Sequence, residues 1–144
     1  MKIFQLDDIR ITLDRHEILK EFDAVVVPLF CAEKIVLVWN QERGWEFPGG
    51  HREGSETYQA TAIREVREES QVEIRDLEYL GFYTSKLEYV TIIVYAECLN
   101  FVELDETLIP SGVKAFDGLP SPLSYGDGGE QLILEVARKF INPS

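Results

Sequence analysis

Glu65, Glu68 and Glu69 stand at i, i+3 and i+4 in the stretch REVREE. At the helical advance of about 100° per residue they share one arc of a helix, one carboxylate above the next. Three such groups repel one another by a few tenths of a kcal/mol per adjacent pair, and Arg64, at i, i+4 from Glu68, relieves only part of that. A hard divalent cation relieves it far better. Mg²⁺ and Mn²⁺ prefer carboxylate oxygen and keep waters that can react, so the chemistry this spacing suits is that of a bound metal with a reactive water. The alternative is an ordinary solvated helix face, since runs of mixed charge are common on helices.

Those glutamates need a helix, and the pattern supplies one over about 55–70: Ala62, Ile63 and Val66 fall on one side and Arg64, Glu65, Glu68 and Glu69 on the other. Ser55 or Thr57 is the candidate N-cap. Upstream, 24–30 (AVVVPLF) and 34–39 (KIVLVW) are β-branched, apolar and joined by a short connection, and read as paired strands. Pro28 predicts an edge or a bulge in the first. The stretch 40–50 (NQERGWEFPGG) is polar and then Gly/Pro-rich, a loop leading into the helix. Residues 77–84 and 87–99 read as two long strands of a hairpin, the second so apolar over 90–96 (VTIIVYA) that both of its faces must be covered. An irregular stretch with Pro110, Pro120 and Pro122 follows, and then Leu132, Ile133, Val136 and Phe140 recur at helical spacing over 129–141. Strands with helices against them make an α/β domain, and nothing over 1–144 divides it.

The composition narrows the function. A chain of 144 residues, 45% hydrophobic, can bury one substantial core. Twenty-six acidic residues against 14 basic ones give a net charge of −12, which disfavours binding to a nucleic-acid backbone. Acidity by itself serves solubility, but a bound metal would let such a protein accept an anionic ligand. There is no membrane-length apolar run and no signal-like start, so a cytosolic location is expected. Cys31 and Cys98 each sit in apolar, strand-like sequence and are expected to be core thiols, with neither a disulfide nor a cysteine metal site.

The glutamates also belong to a longer pattern: Gly50, five residues, Glu56, seven residues, Arg64-Glu65, Val66, any residue, Glu68-Glu69, two residues, Val72. At roughly 6–7% per residue type, six fixed residues and two aliphatics in this register arise by chance on the order of once in a million such chains. The pattern resembles the Nudix box. Gln71 occupies the position where that box usually carries glycine. A glycine there readily takes the left-handed conformation that ends the helix, and Gln should pay roughly 1 kcal/mol to do the same, or the helix should end differently.

The resemblance implies an α/β/α sandwich with a mixed sheet and a loop-helix-loop metal site. It implies a pyrophosphohydrolase that binds Mg²⁺ or Mn²⁺ through Glu65, Glu68 and Glu69, with the Gly49 carbonyl a further ligand, and in which Glu56 braces Arg64. Gly49 and Gly50 would let backbone approach metal and phosphates closely, with Pro48 holding Phe47 extended. The base would be Glu65, or a later acid such as Glu106 or Glu103, with Glu97 and Asp105 competing for that role. Arg43, His51 and Arg52 lie near the expected metal loop and could meet phosphate oxygens. Asp127 could meet a base edge, or could simply make a turn. Trp39, Trp45 and Phe47 could stack on a base or fill the core. The stretch WEFPGG before the box resembles MutT-like enzymes that hydrolyse nucleoside triphosphates, including those that remove oxidised nucleotides. The alternatives are hydrolysis of ADP-ribose or a nucleotide sugar, and a Nudix-like binding module without catalysis. The expected partner is a small nucleoside phosphate, with no nucleic acid or membrane, and a homodimer is left open.

Overall fold

The structure is a computed structural model that describes residues 1–6, 9–85, 88–99, 112–124 and 129–141. Among the described residues ten strands and two helices follow one another as β1 (Lys2–Leu6), β2 (Ile9–Leu13), β3 (Ala24–Val26), β4 (Leu29–Cys31), β5 (Lys34–Asn40), β6 (Gly44–Glu46), β7 (Gly49–His51), α1 (Tyr58–Ser70), β8 (Ile74–Thr84), β9 (Val90–Cys98), β10 (Val113–Phe116) and α2 (Gly129–Ile141). The main sheet runs β1-β2-β8-β9-β4-β5-β10. It is mixed, because β9 pairs antiparallel with β8 and parallel with both β3 and β4.

The central strand is apolar on both faces for a visible reason. Ile92, Val94, Ala96 and Cys98 alternate with Ile93 and Tyr95, and all six are buried. The first set joins a core with Val27, Leu29, Val36 and the α1 residues Ala62 and Val66. The second set joins Ile35, Leu37 and Phe47 with the α2 residues Ile133, Leu134 and Ala137. Period-2 alternation thus sends neighbouring residues of one strand to opposite helices, which is the α/β/α layering the resemblance implied.

The strand expected over 24–30 is interrupted at Val27 and Pro28, and the interruption builds the site. On one side of it β3 pairs with β7, placing Val25 opposite Gly50 and Val26 opposite Gly49. On the other side β4 pairs with β5 across the two-residue turn Ala32-Glu33, both residues at positive φ as a tight hairpin turn of this kind requires. The stretch 40–50 is not all loop: β6 folds back on β5 and β7 adds to β3. Short strands of three residues carry no readable alternation of their own, so their neighbours decide them. The hairpin β1-β2, which pairs onto β8 through Arg10 to Thr12, was likewise not anticipated.

The cysteines depart from expectation. Cys31 and Cys98 follow the paired residues Phe30 and Glu97 on the parallel strands β4 and β9, their Cα atoms are 5.2 Å apart, and they form a disulfide. Both are buried, as expected, but they are not thiols. Their separation of 67 residues hides a proximity that the register of β4 on β9 creates. No helix among the described residues is long and apolar enough to cross a membrane.

Candidate active site

Helix α1 begins where Thr57 caps it: the Thr57 hydroxyl accepts from the Ala60 N–H at 3.1 Å. It ends at Gln71, which takes the left-handed conformation (φ 60°) and donates its N–H to the Arg67 carbonyl at 2.9 Å. Gln71 therefore does what a glycine would do there, at a conformational cost. Arg67 is in turn held by two hydrogen bonds to the Glu73 carboxylate, at 2.6 and 2.8 Å.

The loop before α1 is braced onto it by one arginine. Arg64 meets both oxygens of Glu56 at 2.9 Å and donates to the His51 carbonyl at 2.8 Å. The Arg64 guanidinium, joined by the Glu53 N–H, holds the Glu56 carboxyl down at about 2. Arg64 also reaches Glu65 at 2.7 Å and Glu68 at 3.3 Å. The brace that the resemblance implied between Glu56 and Arg64 is present, and it extends to two of the three helix glutamates.

Gly49 and Gly50 are small because of what lies against them. A Cβ on Gly49 would run into the Val25 carbonyl oxygen, and one on Gly50 would run into the Glu65 carboxylate. The register places Gly49 opposite Val26, while Val27 donates its N–H to Pro48 and Arg52 donates to Asp23. In this alternation the polar groups of Gly49 turn away from β3. Its N–H accordingly reaches Glu69 at 2.9 Å.

Glu69 collects the strain of the cluster. Burial pushes its carboxyl up to about 7, opposed by the Gly49 N–H and reinforced by the negative charges of Glu65, Glu46 and Glu68. Among the described residues no group of three His, Cys, Asp or Glu side chains stands close enough to hold an ion as placed. Glu65 and Glu68 are drawn to Arg64, and the Glu68 side chain is 57% exposed and free to turn. The donor set is nonetheless that of a hard cation: acidic oxygens on one helix face, one of them half-buried among three other carboxylates, beside backbone that approaches without side chains.

The glycine pair opens into a cleft. One cavity of about 310 Å³ is lined by Gly49, Gly50, His51, Arg43, Tyr89 and Thr91. A second, of about 230 Å³, shares Glu46, Phe47, Tyr83 and Tyr89 with it and continues to Ile11 and Glu130. His51 and Arg43 thus reach the cleft. The Tyr89 hydroxyl is hydrogen-bonded to His51 Nδ1, and Arg43 is paired with Glu46 at 3.1 Å. The structure does not bring Arg52 to it: this guanidinium donates to the Glu56 carbonyl, meets Glu21 and lies over the Phe22 ring. Phe47 is core at the cleft wall, whereas Trp39 and Trp45 stack edge to face outside it. Glu103, Asp105, Glu106 and Asp127 lie outside the described residues. Glu97, on β9, accepts a hydrogen bond from Tyr95 at 2.7 Å. Tyr83, Tyr89, Thr91 and Glu130 carried no signal in the sequence, because each enters the cleft only through strand register or helix packing.

Residues 20–111 match the family model described as NUDIX domain, a span that contains the glycine pair, the brace and the carboxylate helix. The chain belongs to the Nudix family. YtkD of Bacillus subtilis (strain 168), which carries the provisional name 8-oxo-dGTP diphosphatase, is 33% identical to this Nudix chain over 94 residues. That stretch is 63% of the chain and spans 60% of the relative's length. Among solved structures, the pyrophosphohydrolase BsRppH of Bacillus subtilis superposes with a TM-score of 0.78 over 97% of this chain and 98% of its own, at 23% identity. An ADP-ribose pyrophosphatase from Streptococcus suis does so with a TM-score of 0.58 over 83% and 90%, at 18% identity. At such identities these structures establish the Nudix fold.

Proposed function

We propose that this single-domain Nudix protein is a divalent-metal-dependent pyrophosphohydrolase of nucleoside triphosphates, of the MutT kind. The observation that carries the reading is the packing of Glu65 and Glu69, on the helix face they share with Glu68, against Gly50 and Gly49 at the mouth of a cleft whose far end is apolar. That order matches a nucleotide laid with its phosphates at the glycines and its base in the apolar end. The name of the YtkD relative supports the same class and suggests oxidised guanine nucleotides within it.

Mg²⁺ or Mn²⁺ held by Glu65, Glu68 and Glu69, with the Gly49 carbonyl as a further ligand, would supply neutralisation of phosphate charge and a more acidic water. The remaining work falls to the chain. Arg64 holds the loop to the helix, so the glycines and carboxylates keep their relation. Arg43 and His51 line the cavity at the glycines and would meet phosphate oxygens. Glu65, seated on Gly50, is the described candidate for taking the proton of the attacking water. Glu106 is the other.

The test is incubation with Mg²⁺ and a panel of canonical and 8-oxidised nucleoside triphosphates, ADP-ribose, nucleotide sugars and dinucleoside polyphosphates, with products resolved by chromatography and Glu68→Gln as control. Triphosphates turned over by the wild type and not by the variant are expected. Preferential cleavage of ADP-ribose or a nucleotide sugar would replace the substrate class. No turnover by either protein would sink the enzymatic reading and favour a binding module.

A further inference from the structure

Strand β9 puts a hydroxyl where the two halves of the cleft meet. Thr91 lines both the cavity at the glycines and the apolar one beyond Phe47, and so does Tyr89 two residues before it. Thr91 shares its side of the strand with Ile93 and Tyr95, which pack toward α2. The Tyr89 hydroxyl is taken by His51, and the Glu46 carboxylate of the same junction by Arg43. The Thr91 side chain has no hydrogen-bond partner among the described residues.

Thr91 is only 4% exposed. A valine would have nearly the same shape and suit a β-strand as well, so neither packing nor propensity calls for the hydroxyl. Burying a hydroxyl without a partner is costly. Its Oγ1 is unpaired but not closed off from solvent, and what opens at this residue are the two cavities.

Register fixes how far this group stands from the glycine end. Ala24 of β3 is opposite His51 of β7 on one side and opposite Thr91 of β9 on the other. Two strand spacings, about 10 Å, therefore separate Thr91 from His51. In an extended nucleotide that is the span from the outer phosphates to the sugar, with the base lying further on. A sugar hydroxyl donates and accepts, as a threonine hydroxyl does, so each can serve the other. The 3′-hydroxyl is the one that ribonucleotides and deoxyribonucleotides share.

We propose that Thr91 recognises the sugar, its hydroxyl hydrogen-bonding the 3′-hydroxyl of a nucleotide that lies across the two cavities. The inference rests on the reading above that the cleft takes a nucleotide. A nucleotide without a 3′-hydroxyl leaves Thr91 unpaired and binds more weakly, whatever its base.

Calorimetric titration of the full chain in Mg²⁺ with dGMP and dAMP, each against its 2′,3′-dideoxy analogue, reads this apart from catalysis, since a monophosphate has no pyrophosphate linkage to cleave. The analogue lacks only the 3′-hydroxyl. At least one of the two deoxynucleotides should bind at millimolar concentration or below, and roughly fivefold to tenfold more tightly than its analogue. Thr91→Val, which keeps the shape and drops the hydroxyl, should bring the two forms within about twofold, and Thr91→Ser should retain the preference. Thermal melting checks that the variants fold, and the wild-type ratio stands if they do not. Equal binding of the two forms by wild type, a preference retained in Thr91→Val or lost in Thr91→Ser, or no binding of either monophosphate at millimolar concentration would each overturn the proposal. A wild type that shows the preference but hydrolyses no triphosphate would sink the enzymatic reading and leave this one. A wild type that hydrolyses triphosphates and binds deoxy and dideoxy forms alike would do the reverse.

Discussion

The two ends of the cleft are built in opposite ways. The glycines and carboxylates at its polar end come from one contiguous stretch, Gly49 to Glu69, in which a strand, a braced loop and a helix follow one another directly. Its apolar end takes Ile9 and Ile11 from β2, Val26 from β3, Tyr83 from β8, and Glu130 and Ile133 from α2. Chemistry that needs several carboxylates at fixed spacing is well served by a single helix, whose period holds them in place. A pocket that must enclose a flat ring needs walls on several sides, and no single element has them. Under the proposed function, bond cleavage belongs to the local end and choice of ligand to the assembled end.

The sharpest way to break that division is Glu65→Gln or Glu69→Gln. Each should lower kcat/KM by roughly 100-fold or more for every nucleotide the wild type accepts, since removal of charge from a metal site acts on the reaction whatever the base. A loss confined to guanine nucleotides would contradict the assignment. Steady-state kinetics with dGTP and dATP distinguish the two outcomes.

Arg64→Ala tests whether the polar end is held by its brace. It removes hydrogen bonds to Glu56, Glu65 and the His51 carbonyl and should lower the melting temperature by roughly 5 °C or more at neutral pH. The pH dependence carries a sign. The Glu56 carboxyl lies at about 2 in the fold, below its usual 4.5, so its contribution is complete above about 4.5 and is lost as pH falls toward 2. Melts from pH 6 to pH 2 should show that loss in the wild type and a shallower one in Arg64→Ala.

Glu69 gives the opposite slope. Its carboxyl is raised from 4.5 to about 7, so the metal-free fold favours the protonated form, and stability present below about 4.5 is lost as pH rises to 7. Glu69→Gln should remove this slope and melt roughly 3 °C above wild type at pH 8 without metal, while forfeiting the gain that Mg²⁺ brings to wild type. Equal melting of the two proteins at pH 8 without metal would count against the burial of that charge.

The smallest effect belongs to Gln71. Gln71→Gly should relieve a left-handed residue and, after the extra freedom of glycine in the unfolded chain, raise stability by about 0.5 kcal/mol with kcat/KM unchanged. A change in activity would show that the helix end reaches the site.

The helix of carboxylates and the closing helix Gly129–Ile141 were legible in sequence because each carries its own periodicity, and the structure chose Thr57 over Ser55 as the cap. Pro28 signalled an edge or a bulge, and the structure shows a break there, with β3 pairing with β7 and β4 with β5. The three-residue strands β6 and β7 were read as loop, and β1 and β2 went unnoticed, because such short elements are decided by the neighbours they pair with. Arg52 illustrates the converse: nearness in sequence to the metal loop suggested a phosphate contact, and packing onto Phe22 and Glu56 turned it elsewhere.

From its sequence alone this protein is determined to carry an acidic helix face beside two glycines, in a register that marks the Nudix family, because those features lie within about twenty residues and obey one helical period. The disulfide between Cys31 and Cys98, the seat of Glu69 behind Gly49, and the cavity lined from β2, β3, β8 and α2 were decided only by tertiary structure. They depend on which strands pair and in what register, and pairing is a property of the whole sheet that no local stretch encodes.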